Sequence, residues 1–227
     1  MTEPVPLGQD ALFKLMTWLS PSFPVGGYTY SHGIEYAVEI GLVHDRDSLT
    51  QWIEGILTFG LGRLDADLFR DAWRAVAAAD AEALAHTAAL GAAMKGTREL
   101  ALESDAQGRA FLDMVKTVWP DPRLDGLKNA VYPVAVGAAA GVAQIPLEAA
   151  LSAFLHAVAA NLISAGVRLI PLGQTDGQRA IAQLEATLHR SVAASLARPP
   201  EDLGSAAFMV DWTSMQHETQ YTRLFRS

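Results

Sequence analysis

Apolar residues in this chain recur at three- and four-residue intervals, and no stretch alternates with period two for long enough to build a sheet. Leu49, Trp52, Ile53, Ile56, Leu57, Leu61, Leu64 and Leu68 fall on one helical face, with Asp47 or Ser48 as the cap that starts it. A second face comes from Leu147, Leu151, Phe154, Leu155, Val158 and Leu162, where Pro146 stands at the first turn and its missing N–H costs nothing. Ile181, Leu184, Leu188, Val192 and Leu196 form a third. Ala-rich stretches such as Ala75 to Ala93 combine high helix propensity with side chains small enough for close packing.

The breaks are short and carry turn chemistry: Ser20 to Gly27, Trp119 to Pro122, and Pro171 to Gly177. No internal repeat and no long linker divides the chain. The expected architecture is a single all-α domain over residues 1–227, a bundle of about eight to ten helices with short connections. An extended carboxy-terminal tail, 200–227, is expected to start at Pro199-Pro200 and Gly204.

Composition removes several function classes. With 227 residues, half of them hydrophobic, the chain can bury one large core. A formal net charge of -8 and the absence of any long Lys/Arg run argue against nucleic acid as a partner. There is no cysteine, which excludes disulfides, thiolate metal sites and Cys nucleophiles and makes the cytoplasm the simplest address. Met1 to Pro6 has neither a basic nor a long apolar region and does not read as a secretory signal. Ala149 to Val167 is uncharged and reaches the lower length limit for a membrane span. Ser152, His156, Asn161 and Ser164 interrupt it and no second span accompanies it, so a buried core helix is expected, with no membrane association.

Catalytic chemistry is hard to find. The six histidines, at 32, 44, 86, 156, 189 and 217, form no His-x-His or His-x-x-x-His pair, so neither a preformed metal site nor a cofactor is expected. His32 and Glu35 stand one helical turn apart; the plain reading is a helix start, with Ser31 as cap and Glu35 favoured by the dipole. Gly91 to Thr97 has its Lys in the wrong order for a phosphate loop. Asp65 with Asp67, and Arg98 with Glu99, Glu103 and Asp105, read as solvated helix faces. Gly26-Gly27 reads as a turn capping a helix, and Gly173 as a helix stop. No catalytic residue is assigned.

Two stretches, Phe23 to Tyr30 and Val167 to Gln178, place aromatic and polar groups beside turns. The segment Ser214 to Ser227 is rich in Arg, Tyr and Phe, the composition of interface hot spots. Residue types leave open whether Leu224 and Phe225 fold back on their own domain or grip another protein.

Taken in order, Ser20-Pro-Ser-Phe-Pro-Val-Gly-Gly-Tyr-Thr-Tyr-Ser-His-Gly-Ile-Glu-Tyr-Ala-Val-Glu-Ile-Gly41, Thr97-Arg-Glu-Leu100, Gly166-Val-Arg-Leu-Ile-Pro-Leu-Gly-Gln174 and His217-Glu-Thr-Gln-Tyr-Thr-Arg-Leu-Phe-Arg-Ser227 resemble the urease accessory protein UreF family. His32 departs from the family, which often has Gln there. The resemblance implies a non-enzymatic, cytoplasmic chaperone subunit without cofactors. Such a subunit dimerises, binds the UreD/UreH protein, and recruits the GTPase UreG to apo-urease for nickel insertion, with carbon dioxide and GTP hydrolysis as co-requirements. It also implies that His217, Glu218, Tyr221, Arg223, Leu224, Phe225 and Arg226 meet UreD/UreH. Tyr30, His32, Glu35, Asp65, Arg168 and Gln174 become candidates for the UreG surface or the passage of nickel. The competing reading is a small helical hydrolase using His32, Glu35 and the acidic cluster.

Overall fold

A computed structural model describes residues 7–227, so the reading of Met1 to Pro6 lies outside the described residues. Ten α-helices follow in order: α1 Gln9–Trp18, α2 Ile34–Glu39, α3 Arg46–Phe59, α4 Leu61–Ala77, α5 Ala81–Ala93, α6 Arg98–Val118, α7 Tyr132–Val142, α8 Leu147–Leu169, α9 Gln174–Ala197 and α10 Phe208–His217. Short 3-10 turns lie at Gly27–Thr29, Pro122–Leu124 and Pro200–Asp202, and there is no strand among the described residues. The protein is an all-α bundle, as the periodicity indicates.

Its centre is α7, which carries almost nothing larger than valine after its first turn and is buried along most of its length. A Cβ at Gly137 would collide with the Phe69 carbonyl, and one at Gly141 would lie 2.9 Å from the Trp73 carbonyl. These glycines let α7 press its backbone against α4, and wider aromatic contacts such as Phe69 on Phe154 fill the layer beyond. The apolar stretch considered as a membrane span is part of α8. It is long and apolar enough to cross a membrane by length and composition alone. Here it packs against α9, α3, α4, α2 and α7, burying Leu151, Phe154, Leu155 and Leu162.

Four local expectations are corrected. The face from Leu49 to Leu68 is two helices, because the backbone at Gly60 (φ -97, ψ -148) leaves the helical region. The cap of α3 is Asp45: its carboxylate accepts from the Ser48 N–H at 2.8 Å, and Ser48 Oγ accepts from the Asp45 N–H at 3.0 Å. The Ala-rich stretch breaks at Ala79, where φ is 54, and restarts at Asp80, which accepts from the Ala83 N–H. Gly173 does not stop α8. Pro171 forces Ile170 into extended backbone (φ -113, ψ 150), which ends the helix three residues earlier, and Gly173 becomes the N-cap position of α9.

Of the acidic groups read as solvated faces, Asp67, Glu99 and Glu103 are corrected, since all three are buried. Asp67 and Arg70 are buried, and Arg198 reaches both Asp67 oxygens at 2.7 Å. Arg70 donates to the Ser195 and Arg198 carbonyls and Arg74 to that of Leu196, satisfying carbonyls at the end of α9. The chain that follows is held rather than free: Arg63 donates to the Asp202 and Gly204 carbonyls, and the Ala206 N–H to the Phe59 carbonyl. The extended segment expected from residue 200 is therefore interrupted by α10, which packs on α2 and α6, and its non-helical parts are residues 203–207 and 218–227.

Candidate functional site: a carboxylate seat for the carboxy-terminal segment

The Ser31-His-Gly33 turn creates the seat. His32 (φ 60) and Gly33 (φ 77) are both left-handed and swing the chain into α2. A Cβ at Gly33 would lie 2.8 Å from Thr213 Oγ1 and 2.9 Å from the Ser214 nitrogen, so glycine is what lets α10 approach. Thr97, the N-cap of α6, pairs its hydroxyl with that of Ser214 at 2.7 Å on the other side. Ser31 lies two residues outside the N-cap position, yet its Oγ still takes the Glu35 N–H at 3.3 Å.

Glu35 is the organiser. Its two oxygens accept the backbone N–H groups of Leu224 and Phe225, at 2.6 and 2.9 Å, and one of them also faces His217 Nε2 at 3.1 Å. His217 is fully buried, and its Nδ1 faces Glu99 at 2.7 Å. An imidazole with carboxylates at both nitrogens satisfies both only as the imidazolium, which carries a proton on each. Glu99 also accepts from Arg223 at 3.2 Å.

Glu103, one turn along α6, accepts from Gln107 and from Ser227 Oγ at 2.8 Å and lies 3.3 Å from His32. Burial alone would raise its carboxyl. His32, the Ser227 hydroxyl and the more distant Lys95 outweigh that and hold it below the usual carboxylate range. The Ser227 carbonyl accepts from both the N–H and the hydroxyl of Ser31, and the Arg226 N–H donates to the Thr29 carbonyl. Segment 223–227 is thus held along its backbone, like a short strand laid against a groove. Phe225 enters that groove with only 4% of its surface exposed. The Arg168 guanidinium, anchored by donation to the Tyr28 carbonyl at 2.7 Å, lies 4.3 Å above its ring.

The residues singled out in the sequence divide accordingly. His217, Arg223, Phe225 and Arg226 join Tyr30, His32, Glu35 and Arg168 in one cluster, with Arg226 5.9 Å over the Tyr30 ring. Tyr221 and Leu224 point outward, Tyr221 fully exposed and Leu224 65% exposed, and Glu218 lies half-buried at the end of α10. Asp65 pairs instead with Lys95 at 2.5 Å, and Gln174 is exposed at the start of α9. His32 and Glu35 do not face each other; each pairs with a different partner. Glu99, Glu103 and Thr97 were missed as site residues. Their signal was the spacing: Glu99, Glu103 and Gln107 repeat every four residues and form one buried polar stripe on α6.

Among the described residues no group of three or more His, Asp or Glu is placed to hold a metal ion. The seat's carboxylates are engaged by protein donors, so what the arrangement does chemically is bind peptide backbone and guanidinium groups.

A UreF family profile matches residues 43–185, more than half of the chain. The chain belongs to the UreF family. A relative from Granulibacter bethesdensis is 52% identical over 225 residues, covering 97% of this chain and 95% of its own. One from Rhodopseudomonas palustris is 49% identical over 241 residues, covering 100% and 96%. A third, from Magnetococcus marinus, is 49% identical over 228 residues, covering 96% and 99%. All three are named urease accessory protein UreF. The profile ends within α9, before the seat's α10, whereas the first two relatives align over nearly the whole chain.

Proposed function

We propose that this protein is a cytoplasmic urease maturation subunit, a homodimeric scaffold that binds the UreD/UreH protein and brings the GTPase UreG to apo-urease for GTP-dependent nickel insertion. The observation that supports the reading is the near full-length identity, about half of all positions, to proteins named urease accessory protein UreF. The seat is consistent with it: a cluster that spends its carboxylates on a peptide segment suits a protein that works by contact.

In this reading the segment after α10 serves both its own domain and a partner. Phe225 and Ser227 face inward, while Tyr221, Leu224 and the exposed part of Arg223 present an apolar and cationic edge to UreD/UreH. His217, Glu218 and Arg226 shape that edge from below. Tyr30, His32, Glu35, Asp65, Arg168 and Gln174 are the proposed contacts with UreG or the groups past which nickel travels. The test is the nickel content and activity of urease made with the other accessory proteins, with and without this chain. Nickel-replete urease in its absence would remove the reading. Within it, Tyr221→Ala with Leu224→Ala is expected to leave the fold intact and lower UreD/UreH affinity at least tenfold, about 1.4 kcal/mol or more; unchanged affinity would move the interface elsewhere.

A further inference from the structure

We infer that a cavity beside α1, away from the carboxy-terminal seat, binds a small carboxylate with an aromatic body. The cavity, about 280 Å³, lies between α1, the last turns of α6 and α7, and the turn at Pro122–Leu124. Ala139 and Ala143 leave the space, since their side chains end at Cβ, and the Trp18 and Trp119 rings form an aromatic wall, edge to face with centroids 5.7 Å apart. Trp18 is only 2% exposed, and its indole Nε1–H is buried without an acceptor in the protein. Buried polar groups are nearly always paired, so an orphan donor in the wall of a cavity marks a place where an acceptor is wanted. Its ring neighbours Phe111 and Trp119 offer no lone pair.

Lys14 stands one helical turn before Trp18 on the same face of α1, lines the same cavity and is half-buried. Among the described residues it has no ion-pair partner, Asp10 on its own helix included. The one carboxylate in the lining, Asp121, is already spent: it accepts the Arg123 N–H, Nε and NH2 groups at 3.0, 2.9 and 2.8 Å. The cavity therefore offers two donors, one of them cationic, and an apolar aromatic wall. The two oxygens of a carboxylate answer an ammonium and an indole N–H, and a single lysine matches one negative charge better than the two of a phosphate. At about 30 Å³ for each water-sized group, the space takes on the order of ten non-hydrogen atoms, the size of an aryl acetate. No partner protein is involved, so the site stands or falls apart from the accessory role.

The test titrates phenylacetate into the full-length protein, read by calorimetry and by the indole N–H signals of nitrogen-labelled tryptophan, with Trp18→Phe identifying the Trp18 signal. Saturable binding is expected with a Kd below about 10 mM, as ordinary ligand efficiency gives for ten non-hydrogen atoms, and with a larger shift at Trp18 than at Trp52, Trp73 or Trp212. Phenylacetamide, which keeps the shape and lacks the charge, is expected to bind at least about tenfold more weakly, as is phenylacetate to Lys14→Met. Ala143→Leu fills the cavity and is expected to abolish binding. Should that variant not fold, Lys14→Met, which removes no ion pair of the fold, decides alone. The inference is overturned by a Kd above about 10 mM, by shifts confined to the other indoles, or by binding that Lys14→Met leaves unchanged.

Discussion

Single atoms decide the seat. A methyl group at residue 33 would press on Thr213 and Ser214, and the position has a left-handed backbone that L side chains rarely adopt. Gly33→Ala is therefore expected to destabilise the α10 docking by about 1–3 kcal/mol, seen as a lower denaturant midpoint and faster exchange in residues 208–227. Glu103 has a pH signature. Its folded carboxyl lies below the unfolded value, so its contribution is fully present above the ordinary carboxylate range and is lost as pH falls through the folded pKa. An acid titration of stability should show less loss in Glu103→Gln than in the native protein. An identical acid limb in the two would mean that the carboxylate contributes nothing through His32.

The elements show what was readable beforehand and what was not. The faces of α8 and α9 follow from apolar spacing, because packing of one stripe is what makes a helix in a bundle. The break between α3 and α4 escaped because Leu57, Leu61 and Leu64 keep helical spacing across it; the interruption lies in the dihedrals of residue 60, which no apolar pattern records. The pairing of Asp67 with Arg198 spans elements far apart in sequence, so Asp65 with Asp67 on α4 looked like a solvated face. Asp67→Ala would leave Arg70 and Arg198 short of their acceptor in a buried setting, and a loss of about 3–5 kcal/mol is expected by denaturant unfolding. A loss below about 1 kcal/mol would show that water enters to replace the carboxylate. The segment after α10 was legible as unusual composition and its ordered sequence blocks as a family resemblance. Its seat was not, since the four-residue spacing of Glu99, Glu103 and Gln107 marks a stripe on α6 without telling that α2 and α10 lie beside it.

At the scale of the molecule, a bundle built round α7 gathers one buried ionic cluster at the end where α2, α6, α8 and α10 converge on the carboxy-terminal segment, apart from the Asp67–Arg198 cluster of α4 and α9. That end combines a buried ionic interior with an outward edge of Tyr221 and Leu224, an arrangement that suits the proposed assembly role. The most direct measurement is size-exclusion chromatography with light scattering on the protein alone, with the matching UreD/UreH protein, and then with UreG added. Stepwise larger complexes, each containing this chain, are the predicted result; a single species of unchanged mass in all three runs would contradict the account.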